Sequence, residues 1–212
     1  MAADICPTVT ASDAHEYRTQ MEHIAEFVTR VHIDLCDGHF APTRTIGTDQ
    51  VWWPGNVRAD LHVMYDKPFT FAETFIALGP QLVIVHAEAE GDFRSFAETL
   101  RRHGVEVGVA LLPATQPEVI RPALELIDHV LIFSGNLGHQ GNSYADLVLL
   151  DKVKSIKALK QTVEIGWDGG VNDQNAAKLI EAGIDVLNVG SFIQQAEKPV
   201  EAYAKLKVLT VG

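Results

Sequence analysis

Short runs of β-branched and apolar residues alternate along the chain with longer stretches in which apolar residues recur at helical spacing. The strand-like runs are Ile5–Thr10, Val31–Leu35, Ala59–Met64, Leu82–His86, Val105–Leu112, His129–Phe133, Thr162–Trp167 and Val186–Val189. This pattern predicts eight strands, and the stretches between them carry helix start and stop signals. Ser12 is placed to cap a helix running to about Arg30, with Asp13 and Glu16 in its first turn. A second helix opens at Thr70 and stops at Gly79, and a third starts at Asp92 and ends at His103 and Gly104. Glycine suits a left-handed residue after a helix, and basic residues suit its negative end. Further helical units are predicted over Gln116–Leu126, Ser143–Lys160, Asp173–Ala182 and Pro199–Val208.

Strands that alternate with helices pair in parallel, because each crossover needs a dozen or more residues. Eight such units, with no Pro/Gly/Ser linker or composition break, predict an α/β chain folded as a single (β/α)8 TIM barrel domain over residues 1–212. The alternative, an open doubly wound sheet, carries a Gly-rich turn after its first strand. Here that turn reads Thr10-Ala11-Ser12-Asp13. In the barrel, sites form where strands end and the following loops begin, so polar residues at strand ends are the informative ones.

Composition narrows the partners more than the fold. Of 212 residues, 47% are hydrophobic, enough to build a core and set disorder aside. The formal net charge of −11, with no run of Lys or Arg, argues against nucleic acid or an anionic membrane as partner. No stretch approaches the roughly 20 apolar residues of a membrane span, and the start MAADICPTVT lacks the features of a signal peptide. Cys6 and Cys36 provide neither a disulfide framework nor metal-type spacing. A cytoplasmic protein in a reducing compartment is expected.

Strand alternation then selects residues. In Val31-His32-Ile33-Asp34-Leu35, a side-chain period of two sets His32 and Asp34 on one face and the apolar residues on the other. In the third strand His62 and Met64 share a face opposite Leu61 and Val63, and the seventh delivers Asp168 directly before Gly169-Gly170. A lone His or Asp at a strand end is ordinarily just a hydrogen-bonded polar group. Four on the inward register would converge at the barrel mouth as two imidazoles and two carboxylates. That N/O set suits one divalent ion such as zinc, manganese, iron or cobalt better than magnesium or calcium, which prefer oxygen alone. Periodicity by itself leaves such a site without a reaction. Gly169-Gly170-Val171 after the seventh strand and Gly190-Ser191 after the eighth present backbone N–H groups where barrels of this fold often hold phosphate.

The segment His32-Ile33-Asp34-Leu35-Cys36-Asp37-Gly38-His39-Phe40-Ala41-Pro42, with Thr45-Ile46-Gly47 behind it, resembles the H-x-D-x-M-D-G-x-F-x-P signature of the ribulose-phosphate 3-epimerase family. The resemblance continues through Leu61-His62-Val63-Met64, Pro68, His86-Ala87-Glu88-Ala89, Ala110-Leu111, Pro113, Asp168-Gly169-Gly170-Val171 and Gly190-Ser191, in the family's order and over nearly the whole chain. It implies a metal-dependent isomerase that inverts C3 of a ketose phosphate, interconverting D-ribulose 5-phosphate and D-xylulose 5-phosphate. It assigns the metal to His32, Asp34, His62 and Asp168, and makes Asp34 and Asp168 the acid/base pair acting on opposite faces of an enediolate. Cys36, Met64 and Phe133 would line the active site, and Gly138 and Gly141 would join the phosphate-binding glycines. A homo-oligomer in carbohydrate metabolism is expected.

The chain departs from the family pattern in three places. Ala11 stands where the family's first strand has its second serine, with Thr10 or Ser12 as possible substitutes. The loop Phe133-Ser134-Gly135-Asn136-Leu137-Gly138-His139-Gln140-Gly141-Asn142 keeps two glycines but has Leu137 and Gln140 in place of a proline and a glycine. Cys36 and Phe133 stand where methionines are common. The altered loop leaves open another ketose phosphate, such as allulose 6-phosphate, or a degenerate sugar-phosphate-binding barrel. A related lyase or decarboxylase would need a D-x-K-x-x-D element, and Asp34 and Asp37 here enclose Leu35-Cys36 without a lysine. Trp52-Trp53-Pro54 is expected to form a packed lid or a subunit contact.

Overall fold

The structure, a computed structural model, describes residues 3–141 and 143–210; Asn142 of the loop just quoted lies outside them. Eight strands are present: β1 (Asp4–Val9), β2 (Arg30–Cys36), β3 (Arg58–Met64), β4 (Leu82–His86), β5 (Glu106–Leu111), β6 (His129–Phe133), β7 (Glu164–Asp168) and β8 (Val186–Val189). All neighbouring pairs are parallel, and β8 returns to β1 to close a single (β/α)8 barrel. The strands β4, β6 and β8 have the bounds their apolar runs predict.

The helices α1 (Ala14–Ile24), α2 (Ala72–Leu78), α3 (Phe93–Arg102), α4 (Asp151–Leu159), α5 (Ala176–Glu181), α6 (Ser191–Gln194) and α7 (Pro199–Leu209) surround it. Several differ from expectation for identifiable reasons. Asp13, rather than Ser12, caps α1, its Oδ1 accepting from the His15 and Glu16 amides at 2.9 Å; Ser12 instead donates to Glu16, completing a reciprocal cap. α1 ends at Ile24 because Arg30 is already a strand residue paired with Arg58. The segment Pro117–Leu126 is 3-10 turns, broken at Ala123 where φ is −130°, since Pro122 offers no amide to continue a helix. The 143–160 stretch becomes helical only at Leu147, and the 173–182 stretch only at Ala176. The four-residue α6 was not expected.

Inside the barrel, side chains stack in tiers along the axis. At the base, buried Arg30 donates from Nε to Asp60 and through its two terminal nitrogens to both oxygens of Glu164, which also lies 2.7 Å from His129 Nδ1. Such a fork-to-carboxylate arrangement fixes geometry as well as charge. Leu82, Ile84, Ala110 and Leu131 fill the middle. Outward-facing Val31, Ile33, Leu61 and Val63 pack in one core with Tyr17, Met21, Phe75 and Leu100 of the helices. The register that buries these apolar residues also turns the polar residues of β2, β3 and β7 toward the axis.

Candidate metal centre and substrate cleft

His32, Asp34, His62 and Asp168 meet at the C-terminal mouth, their ligating atoms all within 4.8 Å of one another. The pairing of Asp34 with His62 across β2 and β3, and of Phe133 with Asp168 across β6 and β7, sets them at one level. His62 Nδ1 lies 3.0 Å from Asp34 Oδ1 and 3.6 Å from Asp168 Oδ2. His32 Nε2 approaches the same carboxylates at 3.3 and 3.9 Å. Both imidazoles are fully buried.

Neither ring nitrogen of His32 has an aligned hydrogen-bond partner among the described residues. A buried imidazole with one nitrogen unpaired and the other only loosely facing two carboxylates is costly, whereas a cation among these two nitrogens and two carboxylates would satisfy it. The donor set therefore fits a divalent ion with mixed N/O ligation. Burial pushes the His62 imidazole down to about 3, leaving a neutral ring with a lone pair to offer. Burial also opposes charge on His32, but the Asp34 and Asp168 carboxylates outweigh it and raise that group above the usual imidazole value.

The two carboxyls are driven apart. Burial disfavours charge on Asp34, yet contacts from His32 and His62 overcome this and hold it well below the usual carboxylate range. Asp168 is pushed up by burial and then by the Asp34 charge beside it. One is held ionised and the other is biased toward its acid form, as an acid/base pair requires. Thr10 supports Asp34 by donating from Oγ1 to Oδ2 at 2.6 Å.

Above these residues opens a narrow cleft of about 50 Å³. Met64, Phe133, Asp34 and Asp168 form its floor, and Gly138, Gly141, Gly169, Gly170, Gly190 and Ser191 all reach its wall. Gly169 and Gly170 have φ of +118° and +69°, and a Cβ on either would collide with the backbone of the loop after β6, at Ser134–Gly135 and Tyr144–Ala145. That close approach explains why the Gly-Gly pair is needed there. The loop is tied down by the Thr43 hydroxyl, which donates to the Gly138 carbonyl, and by Gln140 Nε2, which donates to the Thr8 carbonyl at 3.1 Å.

Cys36 does not reach the cleft: its sulfur packs 3.9 Å from that of Met64, beside Ala41, and burial raises its thiol. Ala11 sits in the outer core, while Thr8 and Thr10 face the cleft; a one-residue offset on a strand reverses the face, so the threonines occupy the positions available to substrate. Trp52 is partly exposed, and its carbonyl accepts a hydrogen bond from Tyr17 at 2.7 Å. The sequence pattern assigns no role to Thr8 or Asn188, and places His86, the partner of His62, only within the family resemblance. Period-two alternation through β1 and β8 was the available signal for the first two.

No helix among the described residues is long and apolar enough to cross a membrane. A family model described as the Ribulose-phosphate 3 epimerase family matches residues 4–194. The chain is 34% identical over 197 residues to a Helicobacter pylori protein named ribulose-phosphate 3-epimerase, covering 89% of each chain. It is 32% identical over 185 residues to the Bacillus subtilis protein of that name, covering 84% of this chain and 85% of the other. Among solved structures, 3-hexulose-6-phosphate synthase from Salmonella typhimurium superposes with a TM-score of 0.70 at 16% identity, covering 98% of both chains. That likeness establishes the shared fold alone.

Proposed function

The chain belongs to the ribulose-phosphate 3-epimerase family and is an isomerase acting on carbohydrates, and on that premise we propose that it interconverts D-ribulose 5-phosphate and D-xylulose 5-phosphate. The observation that carries this reading is the convergence of two carboxyls, Asp34 and Asp168, with two buried imidazoles in one four-residue cluster at the barrel mouth. Inversion at C3 needs two proton-transfer groups on opposite faces of the substrate. Ionised Asp34 accepts the C3 proton, and Asp168, carrying its proton, returns one from the other side; the reverse reaction exchanges their roles. His32, Asp34, His62 and Asp168 are the residues that would hold a divalent ion, which would supply Lewis-acid stabilisation of negative charge on the substrate oxygens. Thr10 fixes the orientation of Asp34, and the loop after β6 forms one side of the mouth.

The phosphate is recognised locally, because the net charge of −11 repels a dianion at long range. Backbone N–H groups around Gly138, Gly141, Gly169, Gly170 and Gly190, with the Ser191 hydroxyl, form the wall suited to it. Gln140, which stands where the family has a glycine, lies over Gly190 and changes the shape of that wall, so allulose 6-phosphate is the second substrate to assay. Purified protein incubated with D-ribulose 5-phosphate in D₂O should form xylulose 5-phosphate with deuterium at C3. The absence of both product and label removes the pentose assignment.

A further inference from the structure

Asn188 is a polar residue in an otherwise apolar strand, Val-Leu-Asn-Val. It is only 2% exposed, and neither its Nδ2 nor its Oδ1 has a hydrogen-bond partner among the described residues. It nevertheless lines the cleft. On the neighbouring strand the Thr8 hydroxyl shares both properties, buried without a partner and lining the cleft. Buried amides in folded proteins are almost always paired, because an orphan forfeits its hydration without compensation. Two adjacent orphans facing one cavity indicate that the missing partner comes from what enters it.

Position identifies the part of the ligand concerned. Asn188 pairs in register with Asp168, one of the two groups proposed to act on C3. It lies two residues before Gly190, part of the wall proposed to hold the phosphate on C5. The carbon between C3 and C5 is C4, which bears a hydroxyl that can both donate and accept. An amide has both capacities and matches it. We infer that Asn188 is a specificity-determining residue that reads the C4 hydroxyl of the sugar phosphate, an assignment that rests on the reaction proposed above.

The test compares wild type with Asn188→Leu, close in shape but unable to hydrogen-bond. Activity and binding are measured with D-ribulose 5-phosphate and with its 4-deoxy analogue, alongside thermal unfolding. Asn188→Leu should lose about 5- to 100-fold in kcat/KM or affinity for D-ribulose 5-phosphate. It should lose less than about twofold for the analogue, which has no hydroxyl to lose. The Leu variant should also unfold at the same or a higher temperature, because removing an orphaned amide relieves the free protein. A role confined to holding the fold would lower that temperature and cost both substrates equally, and either result overturns the assignment. Unchanged kinetics in Asn188→Leu also overturns it, pointing to an ordered water as the partner. If wild type neither turns over nor binds D-ribulose 5-phosphate, the proposed reaction falls and the inference with it. An active wild type with an indifferent Leu variant removes the inference alone.

Discussion

His62 Nε2 and His86 Nε2 lie 2.9 Å apart, both rings buried and meeting edge to edge with their centroids 5.0 Å apart. Two imidazole nitrogens at that distance share one proton. The other nitrogen of His62 points at Asp34 and Asp168. If that Nδ1 offers its lone pair to a metal, Nε2 must carry the proton and donate it to His86. His86 then carries its own proton on Nδ1, 3.6 Å from Glu88 Oε2, while the Thr115 hydroxyl donates to the same carboxylate. Groups behind a ligand in this way set its tautomer and orientation. Replacing His86 by Leu should weaken Co²⁺ or Mn²⁺ affinity by about 10- to 100-fold, with a smaller loss for Gln, which keeps an acceptor. Metal titration of the stripped variants decides it; equal affinity for wild type and Leu rejects the relay.

Asp168→Asn removes a titrating oxygen while preserving shape. It should lower kcat by about 10²- to 10⁴-fold. Metal content measured on the same preparation separates lost proton transfer from lost ligation. Full activity in this variant means that Asp168 is not part of the acid/base pair.

Gly170→Ala forces a side chain onto a residue with φ of +69°, against the Tyr144–Ala145 backbone. A non-glycine residue there costs about 1–3 kcal/mol, and the loop after β6 must move to admit it. Urea unfolding should show a loss of that size, and KM for the sugar phosphate should rise. An unaltered KM separates this loop from phosphate recognition.

Acid stability should depend on Glu164 at the barrel base. Burial there disfavours its charge, but His129 and Arg30 overcome this and hold its carboxyl below the usual range. A depressed folded-state pKa contributes stability above the unfolded value, about 4.3 for Glu, and that contribution is lost as pH falls through the folded value. Wild type should therefore lose thermal stability more steeply below about pH 4.3 than Glu164→Gln does. Parallel melting curves across that window would count against the linkage.

Alternation with period two is a local property, and it carried much of this protein into view. It located the eight strands, and with the apolar residues assigned outward it placed His32, Asp34, His62 and Asp168 on the axis, where the closed barrel brings them together. Gly79 and Gly104 marked chain reversals because only their φ, +72° and +79°, is at issue there. Other features depend on neighbours distant in sequence. Arg30 read as the end of a helix because its partners Asp60 and Glu164 are 30 and 134 residues away. The residues 117–126 kept helical spacing although Pro122 breaks the hydrogen-bond ladder. Cys36 shares an inward register with Asp34 but is covered by Met64 and Ala41. The proton between His62 and His86 and the orphaned amide of Asn188 arise only once β3 meets β4 and β7 meets β8. Side-chain facing follows from backbone geometry within one strand, whereas partners, burial and unmet hydrogen bonds are properties of the closed barrel.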